Sequence, residues 1–146
     1  MISYADPSAI VGTLLGDSRD LEGLRSRIIA SDGAIVVSEI AVVEVASACM
    51  AAERGARITD GRAVIAKFQS WCAGGGRIRL LAMRDGSVFE RAALITQEHR
   101  VYALNAIHLA VALQDVVPLA AGEPVRFLTR DATQAQAARA LGFTVE

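Results

Sequence analysis

The 146 residues suffice for one domain with a buried core, and no repeat, low-complexity tract or linker divides the sequence. Hydrophobic residues make up 53% of the chain, which is enough burial to offset chain entropy and excludes a largely disordered protein. Fifteen basic and sixteen acidic residues give a net charge of −1, without the strong basic excess typical of a protein that coats duplex nucleic acid.

The N-terminus and the cysteines indicate a cytoplasmic protein. The opening segment, MISYADPSAIVG, has no basic leader before an apolar stretch and is not typical of a signal peptide. No apolar run is expected to approach the roughly 20 residues that span a bilayer. Cys49 and Cys72 fall within helical patterns and are expected to be reduced thiols rather than a disulfide.

Hydrophobic periodicity predicts short strands that alternate with helices. In chain order we expect a strand at 2–5, helices at 7–15 and 21–30, a strand at 34–37, a helix at 39–54, a helix ending at Trp71 or Cys72, a strand at 78–82, helices at 87–98 and 104–113, a strand at 126–129, a helix at 132–141 and an edge strand at 143–145. Ser38 and Thr59 are the expected N-caps of the third and fourth helices, and Gly55 the end of the third.

This order predicts an α/β fold of three layers, in which a short parallel sheet lies between helices. Right-handed crossovers place the carboxyl ends of all the strands along one edge of such a sheet. Ligands bind at that edge.

Four polar residues interrupt the apolar pattern. Glu44 lies within IAVVEVASACMAA and Asn105 within ALNAIHLAVAL, on helix faces that should be buried. An unpaired carboxylate there is costly, so it needs a cation, a hydrogen-bond network or a raised pKa. Asp6 closes the first strand and Asp131 follows the fourth, so both are expected at the carboxyl edge of the sheet.

These residues form a set of hard oxygen ligands, which suits Mg²⁺ or Mn²⁺. The sequence lacks the cysteine and histidine spacing of a zinc site, a GxxxxGK[ST] phosphate loop and a GxSxG nucleophile elbow. A divalent metal bound by carboxylates is therefore the chemistry that the sequence favours.

Each of these residues also has a purely structural explanation. Asp6 and Asp131 can cap helices, Asp131 with Gln134 as its capping-box partner. Glu44 can form a buried ion pair with an arginine, and His108 can be a packed core histidine. The hydroxyl residues along this edge are most simply caps and strand-end groups: Ser8, Ser38 and Thr129.

Taken together, four segments resemble the PIN-domain family, and most closely its VapC ribonuclease toxins. YADPSAIV resembles the opening block, in which a strand-end aspartate precedes a small hydroxyl residue, and SEIAVVEVASA resembles the block that carries the glutamate. LNAIHLAVAL resembles the third block and FLTRDATQAQAARALGFTV the last, in which Thr-x-Asp follows a strand. The blocks span nearly the whole chain, so the resemblance implies one PIN domain over residues 1–146.

The resemblance implies that Mg²⁺ or Mn²⁺, held by Asp6, Glu44 and Asp131, assists hydrolysis of single-stranded or looped RNA. Ser8 and Thr129 would support this site. The bound ion would polarise the scissile phosphate and lower the pKa of an attacking water. It also implies a small VapB-like antitoxin that blocks the site, and a homodimer.

Asn105 stands where the family has aspartate. An amide can still offer its carbonyl oxygen to a metal, but the loss of a charge weakens Mg²⁺ binding. Three explanations remain open: a naturally weakened or inactive member, an enzyme that uses one metal or a substitute acid such as Glu98 or Asp115, or an engineered change.

The sequence therefore leaves three functions to compare: a ribonuclease toxin, a PIN module that binds antitoxin or RNA without turnover, and a plain α/β scaffold. Arginines near the ends of elements are candidate RNA contacts: Arg54, Arg57, Arg100 and Arg130.

Overall fold

The computed structural model describes residues 1–16, 21–30, 33–84 and 86–146. Within these residues strands alternate with helices: β1 (Ile2–Ala5), α1 (Pro7–Leu15), α2 (Leu21–Arg25), β2 (Ala34–Ser38), α3 (Ala41–Arg54), α4 (Gly61–Cys72), β3 (Ile78–Leu81), α5 (Ser87–His99), α6 (Ala103–Val111), β4 (Arg126–Leu128), α7 (Ala132–Ala140) and β5 (Thr144–Val145). Wider π-helical turns extend α2 over Ser26–Ala30 and α6 over Ala112–Val116, and a 3-10 turn follows at Pro118–Ala120.

The five strands of the described residues form one sheet in the order β3-β2-β1-β4-β5, and every pair is parallel. Tyr4 of β1 pairs with Val36 of β2 on one side and with Phe127 of β4 on the other. The strand order reverses between β1 and β4, which makes their carboxyl ends the switch point where open α/β sheets bind ligands. The predicted parallel α/β architecture is confirmed.

Successive residues of the central strands enter two different cores, because side chains alternate across a sheet. Tyr4 and Phe127 pack with α5, α6 and α7. Ala5 and Leu128 pack on the opposite face with α1, α3 and α4. The sheet is thus the middle of three layers, as the sequence predicts.

Ser38 is the last residue of β2 and does not cap α3, so that part of the prediction is wrong. The backbone N–H of Glu39 donates to the carbonyl of Leu81 at 2.9 Å, which carries the sheet contact one residue beyond the strand. A turn follows, and α3 begins at Ala41 without a side-chain cap.

The predicted cap of α4 is also displaced by one residue. Asp60, rather than Thr59, has the extended backbone of an N-cap, and its Oδ1 accepts from the backbone N–H of Ala63 at 3.0 Å. Aspartate is the stronger capping residue of the two, which accounts for the shift.

The helical segment Ala103–Ala120 is long and apolar enough to cross a membrane by length and composition, with 18 residues and a mean hydropathy of 1.4. The expectation that no apolar run approaches that length is therefore wrong. Its buried side chains, such as Leu109 and Val116, pack against the sheet in the core, which accounts for its apolar composition.

Candidate active site

Four helices begin at the carboxyl edge of the sheet, and each brings one of the four polar residues with it. Asp6 is the N-cap of α1 and Asp131 the N-cap of α7, so they follow β1 and β4 and flank the switch point. Glu44 lies in the first turn of α3, and Asn105 is the third residue of α6. The positive end of a helix dipole favours a carboxylate at each of these positions.

A glutamine connects three of these residues. Gln134 of α7 is fully buried, and its Nε2 donates to Asp6 Oδ1 at 2.8 Å and to the backbone carbonyl of Asn105 at 3.3 Å. Its Oε1 accepts from the hydroxyl of Thr129 at 2.5 Å. Its backbone N–H donates to Asp131 Oδ1 at 2.7 Å. Asp6, Asn105 and Asp131 therefore lie within reach of one side chain.

Ser8 and Thr129 close this network into a ring. Asp6 Oδ2 accepts from the backbone N–H of Ser8 at 2.9 Å, and the hydroxyl oxygens of Ser8 and Thr129 are 3.3 Å apart. Ser8 Oγ accepts from the backbone N–H of Arg130, and Thr129 Oγ1 from that of Asp131. The two hydroxyls thus fasten the turn after β4 to the start of α1.

Asp6 and Asp131 are helix caps, as their structural explanation predicts. The capping-box part of that explanation is wrong, because the Gln134 side chain does not return to the backbone of Asp131. Thr129 Oγ1 takes that N–H instead, which leaves the Gln134 amide directed at Asp6.

A second buried chain of hydrogen bonds leads to Glu44. His108 is fully buried, with Nδ1 2.6 Å from the hydroxyl oxygen of Tyr4 and Nε2 2.6 Å from Glu44 Oε1. The Glu44 carboxylate can only accept, so Nε2–H donates to it; Nδ1 of the neutral imidazole then accepts from the Tyr4 hydroxyl, whose oxygen accepts from the backbone N–H of Ser38 at 3.4 Å. The partner of Glu44 is therefore a histidine and not an arginine.

The pKa of Tyr4 is raised well above its ordinary value by burial, and the carboxylates of Asp6 and Glu44 raise it further. The phenol therefore stays protonated and remains a hydrogen-bond donor to His108. The effect of both carboxylates on one hydroxyl also indicates that Asp6 and Glu44 both lie near Tyr4.

This pKa predicts an alkaline loss of stability. The folded protein keeps the Tyr4 proton where the unfolded chain, with a pKa of about 10, releases it, so this stability is complete below about pH 10 and falls above it. Between about pH 10 and 11.5, the free energy of unfolding should fall more steeply for the parent than for Tyr4→Phe, by up to about 1.4 kcal/mol per pH unit. Urea denaturation at each pH measures both slopes, and equal slopes would contradict the prediction.

The predicted cluster of carboxylates is not assembled. Within residues 1–16, 21–30, 33–84 and 86–146, no three His, Cys, Asp or Glu side chains are close enough to hold a metal ion. Each carboxylate instead accepts hydrogen bonds from the protein: Asp6 from Gln134 and Ser8, Glu44 from His108, and Asp131 from the Gln134 backbone.

The donor set nevertheless fits a hard cation in its chemistry, since it consists of three carboxylates and the Asn105 amide. Ser38 supports that fit, because its buried hydroxyl has no hydrogen-bond partner. Ser38 ends β2 and Asp6 follows β1, and because these strands are parallel neighbours, both residues lie at the carboxyl edge of the sheet. A hydroxyl without a partner at this edge is what an ion or its water would satisfy.

The two possible substitute acids differ in position. Asp115 lies in the π-helical extension of α6 and contributes, less than Asp6 and Glu44, to the raised pKa of Tyr4. It lines a cavity of about 440 Å³ together with Arg79 and Arg84. Glu98 lies at the end of α5 with its side chain 65% exposed, 3.9 Å from His99. Asp115 is therefore the better candidate.

Two of the candidate RNA-binding arginines border the site and two lie away from it. The backbone of Arg130 belongs to the network of Ser8, and Arg100 ends α5 just before α6 begins. Arg54 lies ten residues after Glu44 on α3, about 15 Å along the helix, so it and Arg57 lie toward the opposite end of that helix. The sequence places all four at element ends but does not reveal which end borders the site.

Comparison with solved structures identifies the fold. A chain of a toxin–antitoxin complex from Klebsiella pneumoniae is similar with a TM-score of 0.58 and 15% identity, over 99% of this chain and 95% of that one. A chain of VapBC2 from Rickettsia felis, solved with a DNA fragment from their promoter, gives 0.64 and 9% over 100% and 98%. A chain of FitAcB from Neisseria gonorrhoeae gives 0.59 and 17% over 99% and 96%.

The chain thus has the PIN-like fold of chains found in toxin–antitoxin complexes, as its four sequence blocks predict. No protein-family model matches the chain, and no curated protein matches it in sequence.

Sequence reasoning did not find the roles of Gln134 and Tyr4. The sequence pattern predicts only a capping role for Gln134, yet this residue lies three residues before Ala137 and four before Ala138, which are both buried. A glutamine on the apolar face of a helix needs buried partners, and that pattern is visible in the sequence. Tyr4 resembles an ordinary core residue of β1, and its hydroxyl partner is 104 residues away.

Proposed function

We propose that this chain is a single PIN domain that acts as the ribonuclease toxin of a toxin–antitoxin pair, cleaving RNA with Mg²⁺ or Mn²⁺. Asn105 weakens its metal site. The supporting observation is that the helices that carry Asp6, Glu44, Asn105 and Asp131 all begin at the carboxyl edge of a PIN-like sheet.

The residues divide into ligands and supports. The ion would be held by the carboxylates of Asp6, Glu44 and Asp131 and by the Asn105 carbonyl oxygen. When bound, it would stabilise negative charge on the scissile phosphate and promote ionisation of a water. His108, itself held by the Tyr4 hydroxyl, orients the Glu44 carboxylate through Nε2–H.

RNA would approach from the side of the site that Arg100 and Arg130 border. Arg130 and Arg100 are exposed and border the N-termini of α7 and α6, so their guanidinium groups can neutralise phosphates. In this proposal the protein works in the cytoplasm, where it meets both RNA and an antitoxin.

A protein partner is supported by the outer faces of α5 and α6. Between them lies an apolar cavity of about 270 Å³, lined in part by Phe89 and Ile107. Phe89 is 56% exposed, and Tyr102, which precedes the lining residue Ala103, is 84% exposed, so apolar surface beside this cavity is open to a partner. A VapB-like antitoxin and a second copy of the chain are the proposed partners, and light scattering with and without antitoxin distinguishes them.

RNA cleavage tests the function. The parent should cut a panel of single-stranded and stem-loop RNAs in Mn²⁺, and EDTA should stop it. Asp6→Asn and Glu44→Gln keep side-chain size but remove a ligand charge, so each should lower the rate by at least about 100-fold. Glu90→Gln, on the exposed surface of α5, is the matched control and should cut as the parent does.

If both site variants cut RNA as fast as the parent, the proposed site is wrong. Thermal unfolding of each variant shows whether a loss of cleavage comes from the site or from a loss of folding.

A PIN module that binds without turnover is the second candidate. It is favoured by the absence, among the described residues, of three acidic side chains close enough to bind metal. If neither the parent nor Asn105→Asp cuts any RNA of the panel while both bind antitoxin, this second function is correct.

A further inference from the structure

The side-chain amide of Gln134 lies at the Asp6 end of the proposed site, where Nε2 donates to Asp6 Oδ1 at 2.8 Å. We propose that this amide competes with the divalent cation for the Asp6 carboxylate, so that an ion binds Asp6 only by displacing Gln134 Nε2. This inference rests on the proposed metal-dependent function. It identifies Gln134 as a residue that sets cation affinity, although it is not itself a ligand.

The orientation of the amide is fixed by its neighbours. Nε2 faces two acceptors, the Asp6 carboxylate and the Asn105 backbone carbonyl, while Oε1 faces the Thr129 hydroxyl. A flipped amide would set Oε1 against the Asp6 carboxylate and would lose both donated bonds. Since Gln134 is fully buried, no water can replace these partners, and the amide stays on Asp6 in the absence of an ion.

Competition follows from the charge and burial around Asp6. The residue is 3% exposed, its Oδ2 accepts from the Ser8 backbone, and its Oδ1 accepts from Gln134. Oδ1 keeps a second lone pair, but a cation bound there would lie against the positively polarised N–H groups of the amide, which repel it until the amide moves away. The hydrogen bond to a charged acceptor is among the stronger ones in proteins, so its loss reduces the net affinity for the ion.

The same bond stabilises the ion-free protein. Within the part of the chain that the structure describes, no cationic side chain pairs with the buried Asp6 carboxylate, and the amide partly neutralises it. Removal of the amide should therefore lower stability and raise metal affinity together. These opposite changes distinguish a competitor from a residue that orients Asp6 for the ion, because loss of an orienting residue would lower both.

Gln134→Met provides the test, because methionine is unbranched, similar in length and without a strong donor. Calorimetric titration with Mn²⁺ should show at least fivefold tighter binding than the parent, with a lower melting temperature before Mn²⁺ is added and a larger rise after. The control is Gln136→Met on the exposed face of the same helix, which should change neither quantity. Equal or weaker Mn²⁺ binding by Gln134→Met, or no binding by either protein, overturns the inference.

A measurement on the parent avoids any folding defect of the variant. The side-chain ¹⁵N–¹H signals of Gln134 should move and lose protection from solvent exchange as Mg²⁺ is added. If they stay unchanged while the backbone signals of Asp6 and Asp131 shift to saturation, the amide is not displaced and the inference is wrong.

The inference and the proposed function can fail separately. If the parent cuts RNA in Mn²⁺ but Gln134→Met binds the ion no tighter, only the inference fails. If Gln134→Met binds Mn²⁺ more tightly but no variant cuts RNA, the inference stands and the nuclease proposal fails.

Discussion

Replacement of Asn105 by aspartate should tighten Mn²⁺ binding by about tenfold or more and raise Mn²⁺-dependent RNA cleavage at least as much. The new carboxylate adds a full negative charge at the N-terminus of α6. This position is close to Asp6, because Gln134 Nε2 donates both to Asp6 Oδ1 and to the backbone carbonyl of Asn105. A tenfold change corresponds to about 1.4 kcal/mol, a modest part of the Coulomb attraction between a carboxylate and a divalent ion near a protein surface. Calorimetry gives the affinity and single-turnover cleavage gives the rate.

The same substitution should destabilise the ion-free protein by about 1 kcal/mol, because it adds a negative charge near Asp6 without adding a cation. Asn105→Ala is the control, since it removes the amide without adding a charge and should bind Mn²⁺ no better than the parent. If Asn105→Asp leaves both affinity and cleavage unchanged, Asn105 does not face the metal, and the proposed ligand set is wrong.

His108→Leu should lower the free energy of unfolding by about 2–4 kcal/mol. Leucine fills much of the buried space but leaves the Tyr4 hydroxyl without an acceptor and Glu44 without its donor. Urea denaturation near neutral pH measures the loss. His99→Leu is the matched control, because His99 is partly exposed and its recorded contact is the 3.9 Å approach to Glu98.

A double-mutant cycle tests whether Tyr4 and His108 act as one unit. His108→Leu leaves the Tyr4 hydroxyl without an acceptor, and Tyr4→Phe removes that hydroxyl. The double variant should therefore lose less stability than the sum of the two single variants. Strict additivity would show that the bond between Tyr4 and His108 contributes nothing to folding, and the account of the buried chain would then be wrong.

Much of the fold could be predicted because its determinants are local. Alternation of short apolar strands with helical periodicity requires parallel pairing, and β1 and α1 have the predicted limits, Ile2–Ala5 and Pro7–Leu15. The start of α3 depends on a contact distant in sequence: Ser38 stays in the sheet because of the contact between Glu39 and Leu81. No periodicity within α3 contains that information.

In the candidate site, too, the positions of the residues could be predicted from local sequence, whereas their pairing could not. That Asp6 and Asp131 lie at the carboxyl edge follows from their places after strands, and Glu44 and Asn105 stand out because they break an apolar pattern. How these side chains pair could not be predicted, because the partners of Gln134 and His108 lie 128 and 64 residues away. The assignment of the four residues as metal ligands stays a prediction.

The central claim is that these four residues bind a divalent cation, and crystals soaked in Mn²⁺ test it most directly. Anomalous diffraction should show a peak at the carboxyl edge of the sheet, about 2.1 Å from oxygens of Asp6 and at least one of Glu44, Asn105 and Asp131. The Gln134 amide should have moved away from Asp6. A peak elsewhere, or none at millimolar Mn²⁺ in crystals whose site faces open solvent, would contradict the account.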